Sequence, residues 1–193
     1  IPKNWAKCDL CRLLMKKKNY TEPVQLMIPF FENILASVRK YGKKPILWFE
    51  LNNEYPPADD YLFPYPKDVV LVSWRGGMTP TGLDLSAERG HNVIMAPGEY
   101  CYYDYPQYKG DLPEYNNWGM PMTTLERAYR LDPGYGRPLS KQQHIWGVMG
   151  ALWGEAIIDI NRATYMSFPR AFALAEAGWT QMENRSWESF KKR

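Results

Sequence analysis

At 193 residues and 45% hydrophobic content, the chain can bury a sizeable core and suits one domain or a large part of one. Its 24 basic residues against 21 acidic leave a formal charge of only +3, dispersed apart from the runs MKKK and FKKR, which argues against nucleic acid as a partner. No apolar stretch nears the roughly 18 residues of a membrane span, and IPKNWAKCDL lacks the apolar centre of a secretion signal, so the chain is expected to start mid-protein or as a mature fragment.

In chain order, Cys8-Asp-Leu-Cys11 comes first. Its spacing is that of a metal knuckle, but no second CxxC follows and only His91 and His144 are available to complete a site. The favoured reading is two cysteines on a short helical turn. Asn19 in NYT and Asn184 in NRS fit the glycosylation sequon. From Thr21 to Lys40, Val24, Met27, Ile28, Phe31, Ile34, Leu35 and Val38 recur at spacings of three and four, which predicts one helix. Thr21 is expected to cap its start, Gly42 to end it and Pro29 to kink it.

KKPILWFE then reads as a strand, followed by a proline-rich loop and a second strand, VVLVSW. TGLDLSAERG is helix-like and leads into a third apolar run, NVIMAP. Beyond a long aromatic loop, TTLERAYRL reads as a helix. IWGVMGALW is the fourth strand, YMSFPRAFALAEAGW a closing helix, and SWESFKKR a short amphipathic end.

Apolar strands alternating with helices, with no polar face to the strands, indicate an α/β fold with a parallel sheet. No GxGxxG or GxxxxGK[ST] follows any strand, so a nucleotide-binding sheet loses ground to a barrel of repeated strand and helix units. In such barrels the active site forms at the carboxyl ends of the strands. The ends here carry Trp48 and Glu50, Trp74, then Tyr102 and Asp104, then Trp153 and Glu155. Sugars present flat C–H faces ringed by hydroxyls, which aromatic walls and carboxylate acceptors match. A single tryptophan more often reflects ordinary core packing, but repetition at equivalent strand ends favours a carbohydrate pocket.

The order LWFE, VSWRGG, GHNVIMAPGEYCYYDY, GALWGE and FPRAFALAEAGW resembles the carboxyl-terminal half of the catalytic domain of family 20 glycoside hydrolases, the β-N-acetylhexosaminidases. The resemblance spans about Ile1 to Trp179, and IPKNWAKCDLCRLLMKK points to the bacterial branch. It implies the second half of a (β/α)₈ TIM barrel, with residues 1–193 a partial catalytic domain. It also implies that Trp48, Trp74 and Trp153 wall a pocket for a terminal N-acetylhexosamine, with Trp74 and Trp153 around the acetamido group. By the same resemblance, the Tyr102 hydroxyl holds the acetamido carbonyl, while Asp104 and Glu155 bind the outer sugar hydroxyls. Trp118 matches a loop tryptophan of the pocket by its distance beyond Asp104, and Arg170 and Glu176 are expected to pair structurally.

In the family, the segment resembling IPKNW follows a His-x-Gly-Gly-Asp-Glu motif whose Glu is the general acid/base. Neither acid of that motif is in this chain. The implied reaction is retaining, substrate-assisted hydrolysis that needs neither metal nor cofactor. Expected partners are a carbohydrate ending in N-acetylhexosamine, and either the amino-terminal half of the barrel or a second copy. The chain alone is expected to be inactive, and the resemblance favours a periplasmic or secreted location. The rivals are a non-catalytic sugar-binding relative that keeps the aromatic pocket and another sugar-acting barrel such as a substrate-assisted chitinase, against which the spaced YYD and WGE argue.

Overall fold

The protein is described from a computed structural model covering residues 4–49, 64–111 and 119–193, which separate into two units, Ile1–Val70 and Leu71–Arg193. In the first, a 3₁₀ turn at Trp5–Lys7 precedes helix α1, Asp9–Lys18. Cys8 holds the N-cap position and Cys11 lies in the first turn, so the cysteines do sit on a helical turn. Asn19 ends α1 in the left-handed conformation at φ 55°, where its short polar side chain is tolerated.

The single kinked helix expected from Thr21 to Lys40 is instead two elements. Pro23–Met27 form a 3₁₀ helix, and α2 runs Ile28–Lys40. Pro29 therefore lies in the first turn of α2, where a missing N–H leaves no intrahelical bond unmade. Thr21 does not cap. The Gln25 side chain turns back to accept the Glu22 N–H at 2.9 Å and the Thr21 N–H at 2.7 Å, satisfying donors that the helix start leaves open. Gly42, at φ +64°, follows the end of α2 as expected and donates its N–H to the Arg39 carbonyl. Strand β1, Ile46–Phe49, places Ile46 and Trp48 on one face and the buried Phe49 on the other. The Val70 N–H bonds the Pro45 carbonyl at 3.0 Å, and Arg39 grips the Asp68 carboxylate with two bonds of 2.7 Å.

Strand β2, Val70–Ser73, is buried throughout. Helix α3, Thr79–Glu88, returns the chain to β3, Val93–Met95. Helix α4, Gly98–Cys101, follows at once, and α5, Leu125–Tyr129, begins under a cap in which the Thr124 hydroxyl accepts the Arg127 N–H. Helix α6, Leu139–Gln142, leads into β4, Ile145–Val148. All four strands are parallel in one sheet ordered β1-β2-β3-β4, as the alternation of apolar runs and helices implied. Leu71 pairs with Val93 and Ser73 with Met95; Val93 pairs with Ile145 and Met95 with Val148.

Two elements are shorter than the apolar pattern suggested. IWGVMGALW is a strand only over its first four residues, because its neighbour β3 ends at Met95, opposite Val148; within β4 the register shifts between Ile145 and Gly147, the latter at φ +154°. The closing helix is broken: α7 spans Ile160–Ser167 and α8 spans Arg170–Trp179, with extended Phe168 and a cis Phe168–Pro169 bond between them. Proline cannot donate to the preceding turn, and the residue before it is pushed away from helical backbone. A short α9, Trp187–Phe190, closes the chain, its rings packed on Tyr129 beside Ala128 and Ala173. Among the described residues, no helix is long and apolar enough to cross a membrane.

Candidate functional site

The second unit brings the carboxyl ends of β2, β3 and β4 together through backbone bonds that run past the strands. The Ala96 N–H reaches the Ser73 carbonyl at 2.8 Å and the Gly98 N–H reaches that of Trp74 at 2.9 Å. On the other side, Tyr102 makes a parallel bridge to Ala151: the Tyr103 N–H donates to the Ala151 carbonyl at 2.7 Å, and the Ala151 N–H to that of Cys101 at 2.9 Å. The loops that carry the expected site residues are therefore extensions of the sheet.

On that frame the Trp74 and Tyr102 rings stack with centroids 6.3 Å apart and 6° between their planes. Trp153 lies 5.9 Å from Tyr102, tilted by 59°, so Tyr102 contacts both tryptophans. Tyr105 closes the cluster at 5.3 Å from Tyr102, and the Arg75 guanidinium sits 4.6 Å over Trp74. Sequence reasoning missed both Tyr105 and Arg75. They adjoin YYD and Trp74 directly, and that adjacency was the available signal.

Burial decides the protonation states. Tyr102 is only 5% exposed, and desolvation pushes its hydroxyl well above the ordinary phenol range, although a hydrogen bond from the Trp153 side chain works the other way. Tyr105 is pushed up to about 12, again by burial. Both stay neutral donors at physiological pH. Asp104 is raised by burial and further by the charge of Glu155, against which its own backbone N–H and the Trp153 N–H act. Trp153 and Glu155 are exposed.

Arg170, expected to pair with Glu176, does something else. It is fully buried, donating to the carbonyls of Met166, Tyr103, Tyr105 at 2.8 Å and Thr123 at 2.9 Å. Burial lowers its pKa to about 10, so it remains a cation. Glu176 pairs instead with Arg193 at 3.0 Å. Two of the carbonyls Arg170 holds flank Asp104, so its guanidinium fixes the turn that presents that acid.

Trp74, Tyr102, Asp104 and Trp153 are thus gathered in one cluster, with Glu155 near enough to act on Asp104 electrostatically. Trp48 belongs to the first unit, on the half-exposed face of β1. Trp118 and Glu50 lie outside the described residues.

A helix-covered parallel sheet with rings and a carboxylate collected beyond its carboxyl ends is a piece of an α/β barrel of the kind that carries enzyme sites there. The chain belongs to glycosyl hydrolase family 20, whose catalytic-domain model matches residues 1–182. It is 37% identical over 191 residues to a β-hexosaminidase of Akkermansia muciniphila, covering 98% of this chain and 36% of that protein. A β-hexosaminidase of Porphyromonas gingivalis is 28% identical over 190 residues, with 98% of this chain and 23% of that protein covered. The fold is similar to a crystal structure of a β-N-acetylhexosaminidase at TM-score 0.82 and 38% identity, over 97% of this chain and 38% of that one. It is also similar to the family 20 exo-β-N-acetylglucosaminidase of Vibrio harveyi in complex with N-acetylglucosamine, at TM-score 0.77 and 31% identity, over 97% and 28% of the two chains. The chain thus spans about a third or less of the length of these relatives.

Proposed function

We propose that this chain is part of an exo-acting β-N-acetylhexosaminidase that removes terminal β-linked N-acetylhexosamine by retaining, substrate-assisted hydrolysis. The observation that carries the reading is Tyr102, whose buried hydroxyl stays a neutral donor and whose ring packs on both Trp74 and Trp153. A donor of that kind suits an acetamido oxygen. As that oxygen attacks the anomeric carbon its charge changes, and a fixed dipole in a dry site stabilises the change without reorganising. Trp74 and Trp153 offer ring faces to the acetamido group and sugar ring. Asp104 and Glu155 accept the outer hydroxyls, Asp104 held in place by the Trp153 N–H.

In the family pattern the proton for the leaving oxygen comes from the Asp-Glu motif that precedes the segment resembling Ile1–Trp5. We therefore propose residues 1–193 as the carboxyl-terminal half of the barrel, with turnover requiring the amino-terminal half. An apolar groove of the second unit, between the half-exposed Trp146 on β4 and the largely exposed Trp179 on α8, suits such a partner or a second copy.

The test is hydrolysis of aryl N-acetylglucosaminide and N-acetylgalactosaminide by the parent protein and its Tyr102→Phe variant. Loss of the hydroxyl is expected to lower kcat/KM by about 10²–10³-fold, the range for removing one such donor. Wild-type turnover by the variant would remove Tyr102 from the mechanism. Binding of N-acetylglucosamine without hydrolysis by the unaltered parent would mark a sugar-binding protein instead.

A further inference from the structure

Away from the strand-end site, the two cysteines of the first unit form a cluster of nucleophiles that the proposed hydrolysis leaves unused. Cys8 stands at the N-cap of α1 in extended backbone, and Cys11 lies one turn on, three residues later, in a helix of 10 residues. Residues at that spacing face one another across the first turn. Both side chains are partly exposed and both thiols are free. The third cysteine, Cys101, is fully buried in the core of the second unit.

The two thiols of the pair are unlike. The polar influence of the Cys11 backbone N–H, then of the Cys11 thiol, holds Cys8 below the ordinary thiol value, and the Leu10 N–H adds to this. Asp9 opposes the effect, but its carboxylate is paired with Arg12. Cys11 is raised, chiefly by its hydrogen bond to Cys8. A thiolate at a helix N-terminus faces amide donors and the positive end of the helix dipole, and such a thiolate is the attacking species in exchange chemistry.

We propose that Cys8 and Cys11 form a reversible dithiol–disulfide site that exchanges with small-molecule disulfides, Cys8 attacking and Cys11 resolving. The Cys8 thiolate displaces one thiolate from the co-reactant and forms a mixed disulfide. Cys11 loses its proton and attacks the Cys8 sulfur, forming the Cys8–Cys11 bond and expelling the second thiolate. Two electrons pass from the pair to the co-reactant, which leaves as two thiols once its thiolates take up protons. Cys101 takes no part, because burial keeps it protonated and covered.

The experiment treats the reduced, purified chain with oxidised glutathione and follows intact mass and alkylatable thiols. Wild type is expected to lose two of its three thiols, shed two hydrogen masses without retaining glutathione, and recover both thiols with a reductant. Cys11→Ser should stop at a single persistent glutathione adduct on Cys8. Cys8→Ser keeps a side chain suited to an N-cap and should react about tenfold more slowly or worse, because the remaining thiol is the less ionised one. Persistent glutathione on the wild-type chain would overturn the proposal, as would equal reaction rates for the two serine variants.

Discussion

The Asp104 carboxylate accepts the backbone N–H of Trp153 at 3.4 Å, so an acid from the β3 end and a ring from the β4 end are placed by the same contact. An asparagine at 104 can keep that contact through its amide oxygen while losing the charge. In the parent enzyme, Asp104→Asn is therefore expected to weaken kcat/KM by about 1.5–3 kcal/mol, the range for hydrogen bonds to charged groups. Unchanged hydrolysis of an aryl N-acetylglucosaminide would deny Asp104 a role in holding sugar.

The same substitution has a pH signature in stability. Burial raises the folded pKa of Asp104 above the 3.8 of an unperturbed aspartate, so its contribution is fully present below that pH and is lost as pH rises through the folded value. Asp104→Asn has no proton to lose. Its melting temperature relative to wild type should rise from acid toward neutral pH, read by thermal denaturation across that interval. A flat difference would mean that Asp104 titrates normally.

Arg170→Lys should be costly although it keeps the charge. Lysine has three donors on one nitrogen and no planar fork, so it cannot reach the carbonyls of Tyr103, Tyr105, Thr123 and Met166 together. Each buried acceptor left without a donor costs about 1–3 kcal/mol. A denaturant midpoint close to wild type would show that those carbonyls find other donors.

Two glycines of GALWGE should respond oppositely to alanine. A methyl at Gly150 would sit 2.5 Å from Tyr103 ring carbons, whereas one at Gly154 meets nothing within 4 Å. Gly150→Ala is expected to destabilise by about 1–3 kcal/mol through overpacking. Gly154→Ala should be neutral or stabilising by up to about 1 kcal/mol, since alanine restricts the unfolded chain. Paired denaturation curves decide it, and equal midpoints would contradict the close fit of Tyr103 beneath Gly150.

Much of the fold was legible because β2 is buried on both faces and β3 nearly so, and both lie in largely apolar runs. The extra length assigned to β4 and the unbroken closing helix came from the same hydrophobic signal, which does not show that β3 stops at Met95 and which backbone conformation overrides at Pro169. At the site, Trp74, Tyr102, Asp104 and Trp153 were legible because aromatic rings and acids recur where apolar runs stop. Arg170 was not, because its partners are main-chain carbonyls far away in sequence, and carbonyls leave no trace in residue identity. Gln25 replacing Thr21 at the start of its helix is a similar case: several polar side chains nearby could satisfy the open donors, and local geometry chose among them.

The bridge between Tyr102 and Ala151 has a consequence for motion. Ala151 accepts the Tyr103 N–H at its carbonyl and donates its own N–H to the Cys101 carbonyl, so neither loop can swing outward without releasing the other. The ring of Tyr102 and that of Trp153 therefore travel as one mechanical piece. In hydrogen–deuterium exchange the two amides should gain protection or lose it together, as members of a single opening unit.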